Sequence, residues 1–93
     1  MWRIEEHRRI GKRLASAPLE IQKRYEKWQD IAAISGAPGL RAIRGFNDAA
    51  SAGAWTGYRS SRLNVQYRVL YRVITALQLF QVVQVTPHDS RKR

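Results

Sequence analysis

The pattern that most constrains this chain's fold lies after residue 55, where three runs rich in Val, Tyr, Leu and Phe cover residues 58–63, 66–75 and 78–86. Such runs of β-branched and aromatic residues predict three antiparallel strands joined by short turns. In the middle run one face is aromatic or β-branched throughout: Tyr67, Val69, Tyr71 and Val73. The opposite face carries Arg68 and Arg72, so it can present two guanidinium groups while the first face packs on helices.

Two helices are predicted ahead of these strands. Ile10 and Leu14, four residues apart among basic residues, indicate a short amphipathic helix over residues 6–16. Pro18 suits the first turn of a second helix, and Gly36 ends it near residue 35. Its apolar side chains recur at helical spacing: Ile21, Tyr25, Trp28 and Ala32.

The remaining residues give weaker signals. Residues 39–54 are predicted as a connecting loop, in which Leu40 and Ile43 could form one helical turn and residues 48–54 are mostly small. Residues 2–4 are an optional short first strand. The predicted class is α+β, with two N-terminal helices packed on a small antiparallel sheet of three to four strands, in one domain over residues 1–93.

Charge narrows the function. Among 93 residues, 17 Lys and Arg against 7 Asp and Glu give a formal net charge of +10, which favours a polyanionic or acidic partner. With 44% hydrophobic residues the chain is not a disordered polycation, and the absence of Cys excludes disulfides and thiolate catalysis. Because no apolar run has the length of a signal peptide or a membrane span, we expect a cytoplasmic protein without membrane contact.

His88 is the candidate proton donor. It follows the last predicted strand, and an imidazole can protonate a leaving oxygen near neutral pH, although a lone His at a strand end is by itself unspecific. If the three strands are adjacent, this strand end lies near Arg59, Arg62 and Arg68. Such cations lower the barrier to cleavage of RNA by its own 2′-hydroxyl, because they stabilise the negative phosphorane. Neither a metal nor another cofactor is expected.

Several of these residues have a plainer alternative. Asp89 either caps a turn or orients His88, and the sheet arginines would also suit a solvated face. Arg59 and Arg62 are three residues apart, which places them on opposite faces of a regular strand. Either a bulge intervenes or only one of them faces the cationic groove expected beside His88. Asp89 is nevertheless the only acid after residue 55. Because so many arginines have so few acidic neighbours in this segment, the sequence favours a face that binds an anionic ligand over a merely solvated one.

A second set of residues is expected to contact RNA without taking part in the chemistry. Arg72 and the tail residues Arg91 and Lys92 would attract phosphates in a salt-sensitive way. Tyr58 and Trp55, at a loop-to-strand junction beside arginines, could stack on a base.

The sheet region resembles the RelE/ParE superfamily of toxins. The similarity is carried by GYRSSRLN at residues 57–64 and QYRVLYRV at residues 66–73, and the ending VTPHD at residues 85–89 resembles the YafQ and YoeB branches. The resemblance implies a type II toxin that cleaves messenger RNA in the ribosomal A site and is controlled by a cognate antitoxin protein.

The same resemblance implies individual roles. Arg68 would stabilise the scissile phosphate, His88 would be the general acid, Arg59 would bind RNA backbone, and Arg62 would replace a His of YafQ-like members. The chain offers no Glu or His near residues 49–55 to act as the general base found in several relatives. Ser90 stands where relatives have an aromatic residue, which predicts weaker activity or a chain altered to tolerate expression.

Two other functions remain open on the sequence. A ParE-like inhibitor of DNA gyrase would share the fold, and a nonenzymatic RNA-binding protein would need only the basic sheet. Loss of toxicity on His88→Ala would distinguish the ribonuclease from the first, and growth arrest on expression would distinguish either toxin from the second.

Overall fold

A sheet with helices on one face forms the body of the protein, as described for residues 1–87 by a computed structural model. The strands are β1 Arg3–Glu6, β2 Ala49–Ala50, β3 Arg59–Arg62, β4 Tyr67–Ile74 and β5 Leu79–Pro87. The helices are α1 Arg9–Ala15 and α2 Leu19–Ala42, and short 3₁₀ turns lie at Arg44–Phe46, Gly53–Trp55 and Thr75–Leu77. The strand order across the sheet is β1-β5-β4-β3-β2.

The sheet is larger than predicted and is mixed. Strands β3, β4 and β5 form the predicted antiparallel centre, within one or two residues of the predicted bounds. The prediction of a purely antiparallel sheet of three to four strands was wrong at the edges, because β1 pairs with β5 in parallel and β2 adds a fifth strand. No hairpin joins β1 to β5, so no turn imposes an antiparallel arrangement on them.

The apolar side of α2 fills the core, as its helical spacing predicted. Its buried residues include Ile21, Tyr25, Trp28 and Ala32. The Trp28 ring lies edge-on to Tyr71 and Phe80, at centroid distances of 5.2 and 6.0 Å. Along the described residues neither helix is both long and apolar enough to span a bilayer.

A buried phenol also joins α2 to β1. The hydroxyl of Tyr25 donates a 2.6 Å hydrogen bond to Oε2 of Glu6. Burial, with this hydrogen bond and the nearby carboxylate charge, raises the pKa of Tyr25 well above its usual value. The phenol therefore stays protonated and keeps its donor role.

Helix α2 is interrupted at Gly36, close to its predicted end. Gly36 has φ 68° and ψ −165°, a region essentially confined to glycine. A Cβ there would lie 3.0 Å from Nε1 of Trp2. Helical structure then resumes and continues to Ala42, because proline is compatible with the first turn of a helical segment and Pro38 lies in that turn. The helical turn considered for Leu40 and Ile43 is present in part, because α2 runs to Ala42. The prediction of a connecting loop over residues 39–54 was wrong at β2, which it did not include.

A bulge between β4 and β5 determines which residues of β5 face the helices and which face away from them. Leu70 pairs with Gln84 and Tyr71 with Val82, which leaves Val83 as an extra residue. Val82 and Val85 are both buried for this reason, although they are three residues apart. We call the side of the sheet away from the helices the open face. It carries Gln81, Gln84 and Thr86 of β5.

Gly36→Ala is expected to lower the free energy of unfolding by about 1 to 3 kcal/mol, because alanine is strained in this backbone conformation and meets Trp2. Gly11→Ala is the matched control. Gly11 lies within α1 with open space around its Cβ position, so this change should stabilise by up to about 1 kcal/mol. Urea unfolding measures both, and equal effects of the two changes would contradict the account of the break.

Candidate functional site

Strand β3 places its two arginines on opposite faces of the sheet. Arg59 pairs in register with Tyr71 and Arg62 pairs with Arg68. Because Tyr71 is fully buried, Arg59 faces the helices, while Arg62 faces the open side. The pairing of β3 with β4 is regular, so of the two arrangements left open by the sequence, only one arginine faces the groove.

The inner arginine is held by a buried carboxylate. The Asp48 side chain is fully buried, and its Oδ1 accepts hydrogen bonds from Nε and Nη2 of Arg59 at 2.8 and 2.6 Å. Its Oδ2 accepts from Oγ of Ser61 at 2.6 Å and from the hydroxyl of Tyr71. Oγ of Ser61 in turn accepts from Nε1 of Trp28 at 2.8 Å. We call these five residues the Asp48 network.

The network keeps two of its members, Tyr71 and Arg59, in their protonated forms. Burial and then the hydrogen bond to Asp48 raise the pKa of the Tyr71 phenol well above its usual value. Burial alone would lower the pKa of Arg59, but the hydrogen bonds to Asp48 and the Asp48 charge together raise it. Arg59 is therefore a permanently charged residue that is already paired within the protein.

The open face carries arginines that have no carboxylate partner in the part of the chain that the structure describes. Arg62 and Arg68 lie directly opposite each other on neighbouring strands, with Cβ atoms about 5 Å apart for such a pair. Within residues 1–87 the Arg59–Asp48 contact is the only pair of a basic and a carboxylate group within 4.0 Å. In the same part of the chain, Nε of Arg62 is buried and has no hydrogen-bond partner. Like charges so placed destabilise a strand pair, and a bound anion would relieve the repulsion.

Arg72 lies at the other end of the open face, in a different environment. Its guanidinium carbon is 5.6 Å from the centroid of the Tyr58 ring. Its Nη2 and Nε donate to Oε1 of Gln81 at 2.7 and 3.2 Å, and Nε2 of Gln81 donates to Oε1 of Glu5 at 3.1 Å. The ring of Trp55 packs edge-on against Tyr58 at 5.2 Å.

The structure thus places the predicted site residues in separate parts of the sheet. It brings Arg62 and Arg68 together at one end of the open face, and Tyr58 and Arg72 at the other, while Arg59 lies on the inner face. The predicted residues of the C-terminal segment lie outside the described residues: His88, Asp89, Ser90, Arg91 and Lys92.

Asp48 was not among the predicted site residues, because it lies in the segment predicted as a connecting loop. One signal was available, because Asp48 is the only acid between Asp30 and Asp89 in a strongly basic chain. A lone carboxylate in such a chain is a candidate partner for a buried cation. Among residues 1–87, no group of three or more His, Asp and Glu side chains is placed to hold a metal ion.

Comparison with known proteins finds the same architecture in solved toxins. No family model and no curated protein sequence matches the chain. A chain of the archaeal RelE–RelB complex from Pyrococcus horikoshii OT3 superposes with a TM-score of 0.77 and 26% identity, covering 98% of both chains. This protein has the fold of the RelE/ParE toxin superfamily.

Two further structures support this assignment to the RelE/ParE fold. The YoeB/ParE toxin from Agrobacterium tumefaciens has a TM-score of 0.75 and 18% identity, over 94% of this chain and 99% of that one. A chain of the DinJ–YafQ toxin–antitoxin complex from E. coli has a TM-score of 0.74 and 16% identity, over 95% and 94%. The resemblance seen in residues 55–89 is confirmed at the level of fold and extends over nearly the whole chain.

Asp48→Asn is expected to destabilise the protein by about 3 kcal/mol, because it leaves the charge of Arg59 without its partner. Asp30→Asn removes an exposed carboxylate of α2 and is the control, with an expected change below about 0.5 kcal/mol. Urea unfolding at neutral pH compares the two. A loss in Asp48→Asn as small as that of the control would contradict the assigned role of the network.

Alkaline pH should weaken the fold through Tyr71. The unfolded chain releases the phenolic proton near pH 10.0 while the folded protein retains it, so this contribution to stability is present below pH 10.0 and is lost as pH rises above it. Each such group lowers the free energy of unfolding by up to about 1.4 kcal/mol per pH unit. Tyr71→Phe should therefore give a shallower decline between pH 9 and 11, and an unchanged slope would argue against the raised pKa.

Proposed function

We propose that this protein is the toxin of a type II toxin–antitoxin system and an endoribonuclease that cleaves messenger RNA on the ribosome, thereby inhibiting translation. The observation that carries the proposal is the pair Arg62 and Arg68, which face each other on the open face with no carboxylate partner among residues 1–87. An RNA phosphate is an anion of the charge and geometry that two guanidinium groups bind.

The proposed reaction is an in-line attack within the RNA. The 2′-oxygen forms a bond to the adjacent phosphorus and passes its proton to a water molecule, and the bond from phosphorus to the 5′-oxygen breaks. Negative charge grows on the nonbridging oxygens between these events. Arg68 and Arg62 stabilise that charge by hydrogen bonds that are stronger in the transition state than in the substrate.

His88 is the proposed general acid for the departing 5′-oxygen. It follows Pro87 directly in the sequence, and the neighbouring Thr86 pairs in register with Arg68. An imidazole at this position would have a proton available near neutral pH. Asp89 is proposed to orient His88 or to stabilise its charged form.

The remaining contacts are proposed to bind rather than to catalyse. Arg72 and Tyr58 would hold RNA further along the open face, and Arg91 and Lys92 would add phosphate attraction that salt weakens. Arg59 is left out of this RNA-binding set, because its guanidinium is engaged by Asp48 on the inner face.

A cognate antitoxin is proposed as the protein partner. Similar structures were solved as complexes of RelE with RelB and of YafQ with DinJ, the latter described as a toxin–antitoxin pair. An acidic or amphipathic segment lying on the open face would neutralise Arg62 and Arg68, and it would exclude RNA from the same surface.

Arg68→Gln and Arg62→Gln are each expected to lower messenger RNA cleavage by roughly 100-fold or more, as the loss of a transition-state donor does. Arg41→Gln, at an exposed position near the end of α2, is the control and should cleave like the unaltered protein. The measurement is the mapping of new 5′ ends in cellular messenger RNA after induction from a tightly repressed promoter. Undiminished cleavage by Arg68→Gln would contradict the proposed role of Arg68 in stabilising the transition state.

His88→Ala in the same assay is expected to remove the new 5′ ends while leaving the fold intact. Growth arrest without new 5′ ends from the unaltered protein would point instead to DNA gyrase or another protein target. The absence of both arrest and cleavage would leave a binding protein or an inactive toxin.

A further inference from the structure

The open face carries an aromatic pair that the proposed chemistry does not use. The side chains of Trp55 and Tyr58 pack edge-on, with an interplanar angle of 81°, and the guanidinium of Arg72 lies over the Tyr58 ring. Trp55 is 40% exposed, whereas Trp28 is fully buried and Trp2 packs against Phe80. Trp55 is therefore the tryptophan whose ring remains accessible to a ligand.

The loop that presents Trp55 is ordered by its own hydrogen bonds. The backbone N–H of Tyr58 donates to the carbonyl of Trp55 at 2.9 Å, and Oγ1 of Thr56 donates to the carbonyl of Gly53 at 2.8 Å. Gly53 and Gly57 have φ values of 64° and 96°, which permit these tight turns. Because the indole is held in place before binding, little further ordering is needed to bind a ligand.

The surroundings of the pair indicate what the ligand is. Arg62 and Arg68 lie on the same face, while Glu5, on the far edge strand β1, accepts a hydrogen bond from Gln81 of β5. Flat apolar rings beside cations that have no carboxylate partner within residues 1–87 suit a polyanion that carries flat rings of its own. Single-stranded RNA has this chemistry, and aromatic side chains stack on its unpaired bases.

We propose that Trp55 and Tyr58 form a base-stacking subsite. This subsite rests on the proposed RNA cleavage, and it adds a stacking contact to a nucleobase at a distance from the scissile phosphate. Arg72 and Arg68 are four residues apart on β4, which is about 13 Å along a strand. A stacked nucleic-acid strand rises about 3.4 Å per nucleotide. The base stacked on Trp55 and Tyr58 therefore lies within about four nucleotides of the cleaved bond.

The test separates base contacts from phosphate contacts. A short single-stranded RNA with 2′-O-methyl riboses cannot be cleaved by its own hydroxyl, so fluorescence anisotropy of this RNA measures binding alone. The unaltered protein should bind it about 5-fold or more tightly than the same oligonucleotide with every base removed, which reflects stacking. This comparison needs no variant, so it does not depend on any mutant folding.

Trp55→Ala should lose that preference. It should bind the intact oligonucleotide about 5-fold or more weakly and the base-free one unchanged, while Trp55→Phe retains most of the difference. Arg68→Gln should weaken both oligonucleotides alike, because it removes a phosphate contact. Leu77→Ala, which truncates an exposed residue in the turn between β4 and β5, is the matched control and should bind as the unaltered protein does.

Two results would overturn the subsite while leaving the nuclease in place. One is equal affinity of Trp55→Ala and the unaltered protein for the intact RNA, and the other is no preference for the intact over the base-free RNA. In either case messenger RNA cleavage would continue, and the aromatic pair would be assigned to a protein contact. If the unaltered protein neither binds nor cleaves RNA, the proposed function fails and the subsite fails with it.

The mapped cleavage sites give a second measurement. Trp55→Ala should alter the nucleotide preference at one position within about four nucleotides of the cut, because a purine and a pyrimidine stack with different strength. Identical preferences in the variant and the unaltered protein would overturn the proposed spacing.

Discussion

The buried carboxylate of Asp48 is the contact on which the arrangement of charges in this protein depends. A buried charge is costly unless it is paired and hydrogen-bonded, and Asp48 receives four donors from Arg59, Ser61 and Tyr71. These donors come from two neighbouring strands. The carboxylate therefore links the segment before β2 to both β3 and β4, and it fixes the position of each strand relative to the other.

Strand alternation extends this effect to the opposite side of the sheet. In β3, Arg59 and Ser61 face Asp48, so Ser60 and Arg62 must face outward. A slip of β3 by one residue would bury Arg62 and break the bonds from Arg59 and Ser61 to the carboxylate, so the register is strongly specified. Asp48 neutralises the inner arginine, and Arg62 and Arg68 remain on the open face without a carboxylate partner among residues 1–87. The repulsion between them is tolerated because the network on the inner face holds the strands together.

The parts of the fold that were predictable are those set by local periodicity. The stripe on α2 and the three central strands follow from spacings of about 3.6 and 2 residues, which the sequence displays directly. The parallel pairing of β1 was not predictable, because it joins segments about 75 residues apart and no turn residue encodes it. Strand β2 has two alanines and no alternation to detect.

The candidate site was predictable to a similar extent. Placing Arg62 near Arg68 required only that consecutive strands be neighbours, which is the commonest arrangement. The position of Arg59 depended on its partner, Asp48, which is 11 residues away in a segment that shows no periodic pattern. A contact of this kind is decided by tertiary packing, and the spacing of arginines alone could not reveal which of them was already neutralised.

The proposed binding face combines two interactions that every RNA strand can satisfy. In this proposal Arg62 and Arg68 contact phosphates, and Trp55 and Tyr58 stack on bases. The phosphate contacts carry no sequence information, and stacking favours one class of base only modestly. Under the proposed function, selectivity for messenger RNA must then come from how the strand is presented. A strand that is held single-stranded and extended, as an mRNA in a ribosomal A site would be, could reach both groups at once, whereas a base-paired strand has no free ring faces for Trp55. The need for a free base face at Trp55 thus favours an unpaired substrate without any contact to base edges.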